Sequence, residues 1–561
     1  MGKKSDELQE QLIKNYVSRR RFIQHALMAS GGLAVTGFLQ ACQTEAPIAT
    51  STPPPAGATA APTAASTATP QPTATLSGPK QGGTLITARS AGFTSLDPQL
   101  DATEGRARMS VLLYSNLVQM DNEGIIVPVL AESWDNPEPT TWIFNLRQGV
   151  KWHNGKDFTS EDVRYTLERL LDEDLAISGR SEFLPITEII TPDEYTVELT
   201  TDGVFAGLLS SFGGKYGAIV QQEAIEEFGD LRNNAVGTGP FMVEEWVPDS
   251  HLLLARNPDY FLEGQPLLDG IEWRFVPDEA NIIAGLRAGT IHHALLEDRQ
   301  LADLVQGDET LNVQTAFTTS TDSIWANTLV EPFHIPELRQ AISLAIDRDE
   351  VMQAATGGYA VYSGLVTPAL SEYALPQEEL AELYQRDVPR ALELMEQAGF
   401  GDGLTIQLEN ISSVAALTAA AQVVANNLRD IGIEAEIVNY ELGQWIDRFV
   451  GREYGISMNT GSGALDPEIW YRYLHSQPGG VDWQSLNDPE LDELTEQIRA
   501  TLDVDERVEL VHELQRRTIE KGSMIILYSP LAVEITTTNV KDYQPHPLNW
   551  SYNFASAWLD N

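Results

Sequence analysis

Residues 404–437 read LTIQLENISSVAALTAAAQVVANNLRDIGIEAEI, and this stretch decides the fold class. Leu404, Ile406 and Leu408 alternate with polar residues, the period of a half-buried strand. An Ala-rich segment from about 413 to 430 follows with helical spacing, and Ile433, Ala435 and Ile437 then alternate again. Strand, helix and strand at this spacing make a βαβ unit, so the two strands are expected to be parallel neighbours. Working outward, residues 389–397 read as a helix ended by Gly399, and a second helix carries Leu338, Ala341, Ile342 and Ala345 behind Pro336. Residues 84–88 read as an opening strand, and Trp142 to Leu146 alternate like another. Thr159 and Asp162 make a capping box, with Val163, Leu167, Leu170 and Leu171 on one helical face behind it. Two acidic helices close the pattern, one capped by Asp488-Pro489 and one stopping at Gly522. The class is mixed α/β.

The amino-terminal end reads differently. Ser18-Arg19-Arg20-Arg21-Phe22-Ile23-Gln24 resembles a bacterial twin-arginine export signal, a receptor-read address. The apolar run to Ala41 is broken by His25, Gly31, Gly32, Gly37 and Gln40, so it reads as a signal segment and not as a membrane span. It ends at Leu39-Gln40-Ala41-Cys42, which makes Cys42, the single cysteine of the chain, the expected lipid attachment point. Residues 1–41 are therefore expected to be a lipoprotein signal peptide. From 42 to 80 Ala, Thr, Ser and Pro dominate, too few large apolar groups to offset ordering entropy. Such a tether could extend on the order of 100 Å, at roughly 3.1 Å per residue. A glycosylated stalk is the other reading of the same composition.

Composition excludes several classes. With 36 basic against 81 acidic residues and a formal charge of -45, the chain lacks the clustered Lys and Arg that nucleic acid requires. It would also be repelled by an anionic lipid surface, so attachment falls to the lipid. No second cysteine exists for a disulfide or a thiolate metal site. No P-loop, H-E-x-x-H or G-x-S-x-G pattern occurs outside chance fragments. Gly461-Ser462-Gly463 makes neither a nucleophile elbow nor a phosphate cradle, and pairs such as Glu244-Glu245 are expected by chance among so many carboxylates. His292 and His293 would point to opposite faces of an extended chain and read as surface residues. The chain is expected not to be an enzyme and to use no metal or other cofactor.

Several long segments, in order, carry a resemblance. The first block is Gly82-Gly83-Thr84-Leu85, Ser95-Leu96-Asp97-Pro98 and Leu113-Tyr114-Ser115-Asn116-Leu117-Val118. The second holds Pro128-Val129-Leu130-Ala131-Glu132-Ser133-Trp134, the run from Phe144 through Trp152-His153-Asn154-Gly155, and Asp157-Phe158-Thr159-Ser160-Glu161-Asp162-Val163. Gly237-Thr238-Gly239-Pro240-Phe241 with Arg256-Asn257-Pro258-Asp259-Tyr260 forms the third, and Arg339-Gln340-Ala341-Ile342-Ser343 with Ala345-Ile346-Asp347-Arg348 the fourth. Together they resemble the extracytoplasmic solute-binding proteins of ABC importers, in the oligopeptide/dipeptide/nickel-binding family, over about 480 residues. Most of these motifs read as folding devices: Trp152 to Gly155 as a turn before the capped helix, Gly239-Pro240 as a rigid turn and Asn257-Pro258-Asp259 as a loop.

The resemblance implies a periplasmic-binding-protein-like fold of two lobes joined by crossing strands. Lobe one is expected at 81–127, 235–322 and 535–561, an inserted subdomain at 128–234 and lobe two at 323–534. It further implies a peptide or other small polar solute held in a cleft by hinge closure and passed to an ABC permease, by a monomer at the outer face of the bacterial membrane. A sensing receptor without transport, or a surface-anchored hydrolase, are the other classes. By matching positions, the first-lobe ligand loop is Ser90-Ala91-Gly92-Phe93, where backbone groups would pair with an extended ligand. Thr321 and Trp325 match the first crossing strand, and Trp445 and Arg452 match pocket residues of peptide-binding relatives, although Trp445 is as readily a packing residue. Gly461, Ser462, Gly463 and Asp466 complete the set. Peptide-binding relatives carry an Asp for the free amine where this chain has Gly463. Either Asp466 substitutes for it or the solute has no free amine there, since a buried ammonium without a carboxylate costs several kcal/mol.

Overall fold

The two strands of the opening stretch are Leu404–Ile411 and Ile433–Tyr440, parallel neighbours with Leu404 opposite Ile433 and Leu408 opposite Ile437. The helix between them, Ala415–Arg429, buries Leu417, Ala420, Ala421, Val424 and Leu428 against them. Each such aliphatic side chain contributes roughly 1.5–3 kcal/mol by leaving water. The computed structural model describes residues 78–560 apart from 101–103, 176, 178, 463–464, 477–482, 549 and 551. The signal segment, Cys42 and most of the tether therefore lie outside the described residues, as does Gly463.

Two α/β lobes and a smaller sheet carry the fold. One sheet has seven strands in the order 311–316, 532–537, 293–296, 84–89, 270–275, 251–256 and 241–247. Its two faces bury separate cores, with Leu85, Ile271 and Trp273 in one and Ala88, Ala294, Val533 and Ile535 in the other. The second sheet has six strands, in the order 360–361, 525–530, 320–326, 456–462, 404–411 and 433–440. A four-stranded antiparallel sheet lies within 131–201 under the helix Ser160–Leu171, burying Phe144, Val197 and Leu199. The Thr159/Asp162 capping box forms as expected, with the Thr159 N–H donating to Asp162 Oδ2 at 2.9 Å. Leu171 lies at the edge of that face, half-buried. The helices Pro336–Ala345, Val388–Gln397, Pro489–Ala500 and Val504–Glu520 also stand where the spacing puts them. Among the described residues no helix is long and apolar enough to cross a membrane.

One expectation fails. His293 is a core residue, 2% exposed, because its strand is paired on both sides and its ring has partners on each nitrogen. Nδ1 lies 2.8 Å from Thr87 Oγ1 and Nε2 lies 2.7 Å from Glu534 Oε2.

The recurrent motifs are stitched to one another. Gly155 donates to the Trp152 carbonyl at 2.7 Å in a tight turn, and the His153 N–H donates to the Gly237 carbonyl at 2.8 Å. His153 Nδ1 accepts from the Gly237 N–H, while Nε2 lies 3.0 Å from the Gly239 carbonyl. Burial holds that ring at about 4, hence neutral at physiological pH. Asn257 Nδ2 donates to the same Gly239 carbonyl at 2.9 Å, and Asn257 Oδ1 accepts from the Asp259 N–H. The buried pair Arg169–Asp97, 2.8 Å apart, ties the first block to the capped helix.

Glycine is required at 237 and 239 by close approach. A Cβ at 237 would stand 1.8 Å from the Leu113 carbonyl oxygen, and one at 239 would stand 2.5 Å from the Leu113 carbonyl carbon. Gly237→Ala is therefore expected to destabilise the protein by about 3 kcal/mol through overpacking. Gly443→Ala, in open space within the helix Leu442–Val450, is expected to add up to about 1 kcal/mol through helix propensity. Melting scans of the two variants beside the parent check this; a Gly237→Ala variant melting with the parent would contradict it.

Candidate functional site

The chain passes between the two large sheets twice, from Leu311–Ala316 into Ser320–Ala326 and from Ile525–Pro530 into Ala532–Thr537. The crossings lie side by side. Thr318 Oγ1 donates to the Pro530 carbonyl at 2.6 Å, and Ser529 Oγ donates to the carbonyls of Ser320 at 2.8 Å and Thr318 at 3.3 Å.

Strand directions follow from this hinge. Strand 532–537 runs away from it, and both 293–296 and 311–316 are antiparallel to that strand, so their carboxyl ends point back to the hinge. Strands 84–89 and 270–275 run parallel with 293–296 and end there too. In the six-stranded sheet, 320–326 leaves the hinge, 456–462 returns antiparallel to it, and 404–411 and 433–440 run with 456–462. The carboxyl ends of strands from both sheets therefore face the hinge region, the customary place for a ligand in an open α/β sheet.

The sequence-predicted residues divide between the two ends of these strands. Ser90-Ala91-Gly92-Phe93 follows Arg89 at the hinge-facing end. Ser90 Oγ donates to Glu279 Oε1 at 3.2 Å, and Ala91 is exposed. The Phe93 ring is buried against Trp246, Trp273 and Phe275, which leaves this loop only its backbone and small side chains to offer outward. Thr321 sits opposite Gly461, and Ser320 opposite Ser462, at the same end. Trp325 lies five residues further along, roughly 16 Å at a strand's rise. There its Nε1 donates to Ser323 Oγ at 2.9 Å and its ring meets Phe449. Trp445 is at that far end as well, donating to Ser457 Oγ at 2.8 Å and stacked on Phe449 at 4.8 Å, so packing accounts for its ring. Arg452, with φ 54, donates to Ser485 Oγ at 3.0 Å.

Asp466 is at the hinge-facing end, but its oxygens are committed. Arg507 grips both, with Nη1 2.9 Å from Oδ2 and Nη2 on Oδ1. The Glu468 N–H adds 2.8 Å to Oδ1, and Ser210 Oγ lies 3.3 Å from Oδ2. Burial pushes this carboxyl up, yet Arg507 and these donors outweigh it and hold Asp466 below the usual carboxylate range. Sequence reasoning missed Arg507, a buried cation inside an acidic helix whose only signal was its neighbours' charge. Ser210 belongs to the segment around the four-stranded sheet, so this contact joins it to the six-stranded lobe. Arg472 Nη2 to Ser181 Oγ at 2.7 Å and the Ala206 N–H to the Arg499 carbonyl at 3.3 Å do the same. A cavity beside Asp466, lined by Thr319, Leu365, Thr367 and Trp470 among others, has room for about one water. Among the described residues no group of three His, Cys, Asp or Glu could hold a metal ion.

Glu468, next to this cluster, is pushed up to about 7 by burial, against Arg472 and Arg499. Its folded pKa exceeds the ordinary 4.5, so the native state binds the proton more tightly and loses stability as pH rises from 4.5 to about 7. Glu468→Gln keeps the shape and removes the titration. The melting temperature of the parent relative to Glu468→Gln is expected to fall across that window and level off above it; parallel profiles would contradict this.

Known proteins give the frame for this geometry. Residues 126–482, more than half of the chain, match the family model of bacterial extracellular solute-binding proteins, family 5, middle region. The glutathione-binding protein GsiB of Salmonella paratyphi A is 27% identical over 405 residues, 71% of this chain and 76% of that protein. The nickel ABC transporter structure from Bacillus halodurans superposes with a TM-score of 0.69 at 27% identity, over 84% of this chain and 98% of that one. DppA of Helicobacter pylori, an ABC-transporter-associated periplasmic binding protein solved with the peptide STSA, superposes with a TM-score of 0.72 at 24% identity, over 86% and 99%. With the matched blocks, the two lobes and the paired crossings in agreement, the chain belongs to the family 5 bacterial extracellular solute-binding proteins.

Proposed function

We propose that this protein is a lipid-anchored receptor that captures a small polar solute between its two lobes and delivers it to an ABC importer. The observation that carries the reading is the convergence of strand carboxyl ends from both large sheets on one hinge. Names of similar proteins, which mention glutathione, a peptide and nickel transport, support a small imported solute. Lobe one would comprise 81–127, 235–322 and 535–561, the insert 128–234 and lobe two 323–534. The crossings at 317–319 and 531 end three residues before two of these bounds, and since strand 320–326 belongs to the six-stranded sheet and 532–537 to the seven-stranded one, the lobe junctions move to 319/320 and 531/532.

The backbone of Ser90 to Phe93 would meet the solute from lobe one, and Thr321, Gly461 and the neighbourhood of Asp466 from lobe two. Trp325, Trp445 and Arg452 would buttress that wall from behind. Asp466, already held by Arg507, is a poor partner for an amine, which favours a solute with no free amine at that place. The described arrangement has the insert in contact with lobe two through Ser210, Ser181 and Ala206, and the cavity beside Asp466 has room for about one water, so a solute would enter by hinge opening. Solute enclosed on closing would shift the population towards the closed form that a permease recognises.

The anchor is the acylated Cys42, reached through twin-arginine export; each buried methylene of its chains contributes about 0.8 kcal/mol. Cys42→Ser is expected to move the protein from the membrane fraction to the soluble extracytoplasmic fraction, and membrane retention of that variant would contradict the anchor. A thermal-shift screen of peptides, oligosaccharides and chelates tests the receptor. A solute at 100 times its dissociation constant should add about 2.7 kcal/mol. Binding of one solute per chain without turnover is expected, and catalytic turnover would instead support a hydrolase.

A further inference from the structure

Arg89 closes the strand Thr84–Arg89 at its hinge-facing end, immediately before the loop Ser90 to Phe93. It is 5% exposed, and its Nε and Nη1 are shut off from solvent with no hydrogen-bond partner. The Trp273 ring lies against its guanidinium, 5.4 Å from Cζ. Arg108, on the helix Glu104–Leu113, is 9% exposed and its Nε is likewise buried without a partner. Arg89 ends a strand whose parallel neighbour, 293–296, is followed directly by Glu297, and Arg108 Nη1 lies 3.5 Å from Glu297 Oε1, so both cations belong to the same hinge-facing end. Burial, and next the charge of Arg108, push Arg89 down to about 9.

The neighbouring carboxylates relieve them only in part. Glu534 Oε2 is taken by His293 Nε2 at 2.7 Å and by the Tyr543 hydroxyl. Glu297 is largely exposed, 3.5 Å from Arg108 Nη1, and makes no hydrogen bond to it. A guanidinium carries five N–H donors in a fixed fork. Leaving buried donors unsatisfied is unfavourable, and more so on a charged group. Such a deficit at the mouth of a binding region is relieved when a ligand brings the acceptor. The fork geometry suits one class of acceptor, the paired oxygens of a carboxylate or phosphate.

We infer that Arg89 and Arg108 form the anion-recognising pair of the solute site, and that the transported solute carries a carboxylate or phosphate which they clamp from lobe one. This rests on the receptor reading above. It also agrees with the residue type at Gly463 and with the commitment of Asp466 to Arg507: one side carries arginine donors without a partner, and on the other the Asp466 carboxylate is already held by a cation. On a chain of formal charge -45 the pair is a local exception that gives an anion a place to bind.

Calorimetric titration of the full chain with matched probes tests it: N-acetyl-trialanine as free acid and as C-terminal amide, and glucose 6-phosphate beside glucose. At least one acidic member is expected to bind, its neutral counterpart at least tenfold more weakly, and the two acids tell carboxylate from phosphate. Arg89→Gln and Arg108→Gln should each weaken the acidic probe at least tenfold, and Arg89→Lys should not restore it. The solute-free melting temperature of Arg89→Gln should not drop, because the substitution removes a buried charge whose Nε and Nη1 have no hydrogen-bond partner; an arginine with a merely structural role would lower it. Equal binding of acidic and neutral members, or unchanged binding by both Gln variants, overturns the arginine assignment and leaves the receptor reading standing. Failure of the parent to bind any probe overturns both.

Discussion

Three hydrogen bonds among Thr318, Ser320, Ser529 and Pro530 hold the two crossings of the chain side by side, and the rest of the molecule is arranged around that junction. Both crossings are short, three residues in one and a single residue in the other, so each sheet begins or ends its neighbouring strands at the same place. The parallel and antiparallel pairings then leave little freedom: once 532–537 leaves the junction, the carboxyl ends of 293–296, 84–89 and 270–275 must return to it. The same constraint brings the ends of 404–411, 433–440 and 456–462 to the opposite side. A short junction with few side-chain bonds is also what hinge motion requires, since only a few backbone angles must change.

The segments that mark the family are devoted to folding. Gly237 and Gly239 permit a close approach to the Leu113 backbone, His153 and Asn257 both read the Gly239 carbonyl, and Asp97 anchors Arg169 in the core. Arg348 repeats the theme in the other lobe, bonding the Ile526 carbonyl and Ser343 while lying 3.9 Å from the Tyr384 ring centroid. These residues build the scaffold of this chain. Specificity must then come from residues outside them, and Arg89 and Arg108 are outside them.

Local periodicity made the elements legible in advance. The βαβ stretch, the Thr159/Asp162 capping box and the helices behind Pro336 and Pro489 depend on residues near one another in sequence. The candidate site was legible in part. Ser90 to Phe93, Thr321, Gly461 and Asp466 do gather at one end, because strand order carries them there. Trp325, Trp445 and Arg452 fall at the far end, since position along a strand relative to the hinge cannot be read from residue type. His293 was misread because only the pairing of its strand on both sides buries it. Arg89 and Arg507 were invisible for a related reason: whether a buried arginine has a partner depends on residues tens to hundreds of positions away.

Solute capture between the facing strand ends is the claim on which all else rests, and a diffraction structure of the protein saturated with the solute that most raises its melting temperature tests it most directly. The result expected is one solute enclosed at the hinge-facing ends of both sheets, touching the backbone of Ser90 to Phe93 and Thr321 or Gly461, with its anionic group on Arg89. Solute density on the outer surface of one lobe, with the region between the lobes left empty, would contradict it.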